Sequence, residues 1–177
     1  MTLAVVRQTE AVNLEEYRAK LLSRLSALNA FHKVMRPSCG DKIRVADLLE
    51  QTTRPYGAAH GMPFDSAGPD VSIGSKLALP LHLAFHELTT NAHKHGALSC
   101  PSGWVKVRWA PCLRTARLLI LWSEHGGPPV TLPKRKGFGS FLITRALPHV
   151  HGSAQLDFKP SGVMCRISIE CDRLSGA

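Results

Sequence analysis

His86-Glu-Leu-Thr-Thr-Asn91-Ala-His-Lys94-His-Gly96 is the stretch on which the reading of this chain turns. Leu77, Leu81, Ala84, Phe85, Leu88 and Ala92 recur at helical spacing and form one apolar stripe. The pattern predicts a helix over 77–95 that stops at Gly96. Proline is tolerated only in a helix's first turn, so Pro80 moves the expected start to near Leu79. Glu87, Asn91 and Lys94 stand at i, i+4 and i+7 and share the polar face. An Asn amide oxygen is a hard, neutral ligand suited to Mg2+, an ion that keeps several waters and bridges phosphates. A carboxylate one turn earlier can orient a water or accept a proton. Lys94 can reach phosphate oxygens. On this helix alone, a solvated polar face is an equal alternative.

The loops that follow change the balance. Trp122-Ser-Glu124-His-Gly126-Gly127-Pro-Pro-Val130 leaves a strand and enters a glycine turn. A carboxylate there can accept a hydrogen bond from an exocyclic amine, and glycines let the backbone approach a flat ring. Further on, Gly137-Phe-Gly139 opens a helix at Ser140. Glycines before a helix start present backbone N–H groups to a phosphate. The basic run Lys134-Arg135-Lys136 lies between these loops. Each loop is a weak signal alone, since many turns look like this. The ordered set of acid–Asn helix, strand–acid–Gly–Gly and Gly-x-Gly–helix is specific.

With these motifs in place, the chain resembles the histidine-kinase ATPases of the Bergerat (GHKL) fold, and within them the HWE subfamily. That subfamily is named for a His in the Asn-helix motif and a Trp-x-Glu in the next glycine motif, here His86, Trp122 and Glu124. The resemblance runs from about Leu3 to Glu170 and rests on HELTTNAHKHGALS, LWSEHGGPPV and GFGSFLI. It implies an α+β fold, a Bergerat-type ATP-binding α/β sandwich, with ATP and Mg2+ as ligands. It implies that Asn91 binds Mg2+, that Glu87, with His86 beside it, acts near the γ-phosphate, and that Glu124 contacts adenine. Gly126 and Gly127 would line the base pocket, and Gly137 and Gly139 the phosphate lid, with Lys94, Trp122 and Lys134 completing the nucleotide site.

Most kinases of the wider group carry Asp where this chain has Glu124. The subfamily's phosphoacceptor motif, His-Arg-x-Lys-Asn-x-Leu, would end on Thr2-Leu3, which puts its His before Met1. No phosphoacceptor is therefore assigned, and the chain taken alone is expected to bind ATP with little autophosphorylation. His32 is a conceivable surrogate, but a His on a helix face is more often structural.

The rest of the chain sets the frame. Its 177 residues suffice for one well-packed domain plus an extra element. Leu14 to Met35 reads as a helix capped by Asn13, with Leu14, Leu21, Leu28 and Met35 repeating every seven residues. That seam suits a bundle, and packing within its own domain is the plainer alternative. Residues 1–38 are thus taken as part of a dimerising helical hairpin and 39–177 as the ATP-binding domain. A second helix is expected over 45–53 and short strands over 62–64 and 71–73. Longer strands are expected over 104–109, 117–122, 154–158 and 163–170, with a helix over 140–147. Consecutive strands with segregated helices imply a layered α+β domain.

Lys plus Arg is 22 against 13 Asp plus Glu, a net charge of +9, which suits an anionic partner. Aromatic residues are only 6%, which argues against a base-stacking, nucleic-acid surface. Five scattered cysteines with no CxxC pair read as reduced thiols, and no Cys/His group has zinc-ligand spacing. No apolar run is long enough to span a membrane, so a cytoplasmic setting is expected. The expected partners are ATP, a response-regulator receiver domain and a second copy of the chain. Three classes stay in view: histidine kinase, non-catalytic ATP- or partner-binding adaptor, and anti-sigma-type serine kinase.

Overall fold

The computed structural model describes Thr9 and residues 11–34, 42–57, 63–130, 147 and 152–170. Helix α1 spans Leu14–Val34. Asn13 Oδ1 accepts the Glu16 N–H at 2.8 Å, and the Glu16 carboxylate accepts the Val12 N–H at 2.7 Å. The first bond satisfies a donor that the helix start leaves orphaned, and the second ties the preceding residue to the first turn. The side chain of His32 lies outside the described residues.

Strand β1 (Lys42–Arg44) leads straight into α2 (Val45–Gly57), and β3 (Ser72–Gly74) leads straight into α3 (Ser75–His95). β1 and β3 pair antiparallel, with Ile43 opposite Ile73. This small ribbon starts the two helices side by side. Strand β2 (Phe64–Ala67) lies between them in sequence. A 3₁₀ turn over Ala97–Ser99 precedes β4 (Trp104–Cys112), β5 (Arg117–His125), β6 (Gly152–Lys159) and β7 (Gly162–Glu170). The main sheet runs β2-β4-β5-β7-β6, with β2 parallel to β4 and every other pair antiparallel.

Period-two alternation sends one face of this sheet onto the helices. Val105, Val107 and Trp109 of β4, Leu118, Ile120 and Trp122 of β5, and Cys165, Ile167 and Ile169 of β7 are all buried. They pack in one cluster with Leu81, Phe85, Leu88 and Ala92 of α3 and Leu48 and Leu49 of α2. Leu119 and Leu121 point the other way and stay exposed. The result is the expected α+β layering.

Several expectations change in detail. α3 begins at Ser75, so Pro80 lies within the helix rather than in its first turn. Pro80 is itself buried in the core, and Lys76, the residue whose carbonyl loses its i+4 partner, is exposed. α2 runs past Thr53 and through Pro55 to Gly57. β2 falls on 64–67 rather than 62–64, and β1 adds a strand that the sequence pattern does not predict. The helix expected over 140–147 lies outside the described residues except for Leu147, which is buried.

Part of the heptad seam packs on α3, while Leu14 of the same seam is exposed. Leu21, Leu25 and Leu28 meet Leu79 and Leu83 of α3, while Val12, Leu14 and Leu22 face outward.

One core position is under-satisfied. Thr89 is fully buried on α3, and its hydroxyl has no hydrogen-bond partner among the described residues. Burial without a partner costs a hydroxyl about 1–3 kcal/mol, and valine keeps the shape without that group. Thr89→Val should therefore raise stability by about 1 kcal/mol. A urea midpoint unchanged or lowered in the variant would contradict this.

Candidate functional site

The second half of α3 carries most of the predicted side chains, and their surroundings differ sharply. Asn91 and Lys94 are exposed. Among the described residues the Asn91 side chain makes no hydrogen bond, so its amide is available to a ligand. Glu87, one turn earlier, is buried instead. Its Oε1 accepts from Arg24 Nε at 2.9 Å and its Oε2 from Arg24 Nη2 at 3.3 Å. Arg24 belongs to α1 and is itself buried, and its Nη1 donates to the Thr9 hydroxyl at 2.6 Å. The shared polar face is therefore half open and half covered by another helix.

His86 is also engaged by α1, through Ser23 Oγ at 3.0 Å. Burial lowers its pKa. One turn back, His82 Nε2 donates to the Ala27 carbonyl at 3.1 Å, and its Nδ1 lies 3.2 Å from the Thr52 hydroxyl. Burial holds the His82 pKa down to about 4.

Both histidines are thus kept neutral in the fold but protonate freely once unfolded. The unfolded state binds more protons between the ordinary value of 6.5 and about 4, so stability falls as pH drops through that window. Glu124, whose pKa burial raises, takes up its proton early in the fold and offsets part of the loss. A net loss on the order of 2 kcal/mol is expected between pH 6.5 and 4, followed by urea melts across that range. A midpoint that does not move would remove His82 and His86 from the account.

α3 ends where the second motif begins. The Gly96 N–H bonds the Asn91 and Ala92 carbonyls at 3.1 Å each, which closes the helix. The next N–H, that of Ala97, goes to Glu124 Oε2 at 2.9 Å. Glu124 sits at the end of β5 and is buried, and its Oε1 lies 3.4 Å from the Trp122 indole nitrogen. A side chain at Gly96 would collide with Glu124 Oε2. Glycine is thus what lets the helix end and the carboxylate meet. On the other side, a side chain at Gly162 of β7 would collide with the Glu124 carbonyl.

Gly126 follows with φ +70, a conformation open to glycine, and its carbonyl accepts from the Ser102 hydroxyl at 3.4 Å. A β-carbon at Gly127 would lie 2.5 Å from Ala97 Cα. The Asn helix, Glu124 and Gly127 therefore converge on Gly96–Ala97, with Gly126 beside Ser102 and Gly103. A hollow lined by Tyr56, Pro63, His93, Leu98, Cys100 and Gly103 lies alongside.

Trp122 is placed differently from the expectation. It has no exposed surface, packs edge-on against Phe64 with ring centroids 6.2 Å apart, and reaches the site only through Glu124. Its indole N–H lies against that carboxylate, and its ring is enclosed in the core. The period of two along Leu118, Ile120 and Trp122 already pointed to the core face. Arg24, Ser23 and Gly162 carry parts of the site that no sequence motif marks. Lys134, Gly137 and Gly139 lie outside the described residues.

This layering of helices on a mixed sheet is the fold the chain shares with solved histidine kinases. Histidine kinase ThkA, solved in complex with response regulator protein TrrA, has a TM-score of 0.56 at 12% identity, covering 97% of this chain and 58% of that one. Within that class the resemblance is to the HWE type, since residues 1–70 match the family described as HWE histidine kinase. The chain is 31% identical over 162 residues to blue-light-activated histidine kinase 1 of Erythrobacter litoralis, covering 89% of this chain and 44% of that protein. The solved blue-light activated histidine kinase EL346 of Erythrobacter litoralis has a TM-score of 0.72 at 17% identity, covering 96% of this chain and 55% of that one. The chain spans less than half the length of the curated relatives it matches. No helix among the described residues is long and apolar enough to cross a membrane.

Proposed function

We propose that this chain is the Mg-ATP-binding catalytic region of a two-component histidine kinase, moving the γ-phosphoryl of ATP to a histidine and on to a receiver-domain aspartate. The observation that carries this reading is the exposed Asn91, unengaged among the described residues, on a helix whose end meets the buried Glu124. The donor set fits Mg2+. Among the described residues no group of His, Cys, Asp or Glu forms a protein cage for a metal. A phosphate-bridging Mg2+ takes few oxygens from the protein, the phosphates and waters supplying the rest, and the Asn91 amide oxygen can be one of them. When bound, the ion neutralises charge on the phosphates.

The protein's own part is position. Asn91 would hold the phosphate end of the nucleotide, Lys94 would meet phosphate oxygens, and Glu124 would accept from the adenine amine. Glu87 stands one turn from Asn91, where a released carboxylate would orient a nucleophile or take its proton. The names of the relatives favour a histidine kinase over an adaptor or a serine kinase. Support for a response-regulator partner comes from histidine kinase ThkA, which shares this fold and was solved in complex with one. A homodimer through the N-terminal helices would use the outward Val12, Leu14 and Leu22, because the inner seam is occupied.

The test is calorimetric titration of Mg-ATP into the chain, followed by labelled ATP with a second chain carrying an acceptor His and a receiver domain. Binding with label on His and then on Asp supports the proposal. Binding with label on serine, or on nothing, would favour the other two classes.

A further inference from the structure

α1 touches the candidate site through a seam that is more polar than a core contact. Its register is antiparallel to α3, so that a step of four along one helix meets a step of four back along the other. Ala27 meets His82, and Ser23 meets His86. Between them Arg24 takes both oxygens of Glu87. The apolar part of the contact is a small separate cluster of Ala27, Leu28 and Leu83, flanked by Leu21, Leu25 and Leu79. Phe31 is the described residue of α1 that joins the main core. A helix anchored at one end and held along its length by hydrogen bonds and an ion pair resembles an interdomain contact more than a core, and such contacts reopen. The same antiparallel register carries α1 on past the Asn91 turn.

We propose that α1 is an inhibitory latch: docked on α3, it locks the Glu87 carboxylate onto Arg24, and its release frees Glu87 for phosphoryl transfer. This rests on the nucleotide reading above. A carboxylate covered by α1, with both oxygens on a buried guanidinium, is not free to swing toward a nucleophile beside Asn91. Lifting α1 hydrates both partners together, which avoids leaving either charge buried alone. An upstream domain that pulled or turned α1 would then set the activity without touching the nucleotide.

Slow hydrolysis of ATP by the whole chain reads the latch without an added acceptor. Water oxygen bonds to the γ-phosphorus as the bond to the β–γ bridging oxygen breaks. ADP leaves, and the proton of the attacking water passes to Glu87. Affinity of the unmodified chain for Mg-ATP is measured first; no binding overturns the nucleotide reading and the latch with it.

Given binding, Arg24→Gln should leave the ATP affinity within about twofold, speed hydrogen exchange along α1, and raise hydrolysis about tenfold, a typical coupling between two states. Adding Glu87→Gln to that variant should return the rate to the starting level. Leu21→Ala with Leu25→Ala loosens the same contact at half-exposed positions and should act in the same direction, which covers the case of Arg24→Gln failing to fold. Faster exchange in α1 with hydrolysis unchanged or lowered would overturn the latch while leaving the nucleotide reading standing. So would a raised rate that persists without Glu87.

Discussion

Asn91→Ala is expected to remove Mg-dependent ATP binding while leaving the fold and its melting unchanged. The side chain is exposed and makes no hydrogen bond among the described residues, so its loss opens no cavity and orphans no partner. Alanine is also the better helix former at such a position, which works against any loss of stability. The same exposure is what a ligand-holding amide requires. Removing even an outer-shell partner of a metal costs about 10–100-fold in affinity, and removing the ligand itself should cost at least as much. Calorimetry with and without Mg2+ separates the cases. The variant should bind ATP weakly and alike in both conditions, whereas the unmodified chain should bind far more tightly with the ion. Retention of the Mg2+ dependence in the variant would move the metal elsewhere, and no protein cage among the described residues stands ready to hold it. Asn91→Asp is a useful companion, because it keeps an oxygen at the same reach. It should retain more of the Mg2+ dependence than alanine does.

The features legible in the sequence are those that local rules control. The apolar stripe from Leu77 to Ala92 and the stop at Gly96 place the Asn helix, because helical periodicity and a terminal glycine are properties of neighbouring residues. The strands from Trp104 onward follow from alternation in the same way, although pairing extends each of them. Ladder bonds hold β4 together as far as Pro111 and Cys112, which lie opposite Leu118 and Arg117.

What the sequence withholds is non-local. The seam of α1 marks an apolar face but not its partner, and a partner within the chain satisfies the same pattern as a second copy. Arg24 and Glu87 are 63 residues apart, and no spacing rule joins them. Gly162 reads as a hairpin residue. Its tight approach to the Glu124 backbone follows from β5 and β7 being neighbours in the sheet. The placement of Pro80 inside α3 needs burial from the tertiary fold to make it tolerable. Trp122 is within reach of the alternation rule, but its place in a Trp-x-Glu motif draws the reading toward the ligand instead.

Glu124 offers the second large effect, because the same carboxylate has a structural bond and a proposed ligand bond that two substitutions can separate. Its Oε2 is engaged by the Ala97 N–H at 2.9 Å, which joins the end of β5 to the end of α3. Its Oε1 lies 3.4 Å from the Trp122 indole nitrogen, a long contact that leaves room for a stronger donor. An adenine amine is such a donor, and the carbonyl that guanine carries at that position is not. A hydrogen bond to a charged group contributes about 1.5–3 kcal/mol, roughly ten- to hundredfold in affinity. ATP should therefore bind the unmodified chain at least about tenfold more tightly than GTP, with the same carboxylate repelling the guanine oxygen.

Glu124→Ala should erase most of that preference. It should also lower stability by about 1–3 kcal/mol, since it leaves the buried Ala97 N–H without an acceptor. Glu124→Gln keeps a carbonyl oxygen for one of the two donors. With that oxygen on Ala97, the amide NH2 faces the base and donates where a carboxylate accepts. The glutamine variant should thus fold nearly as well as the original chain, weaken ATP, and bind GTP as well as or better than ATP. Both halves are read from one set of samples, by urea melts without nucleotide and by competition of ATP and GTP for a fluorescent analogue. If Glu124→Gln kept the full preference for ATP, Glu124 would be a structural acid that closes the helix end, and recognition of the base would lie with other groups.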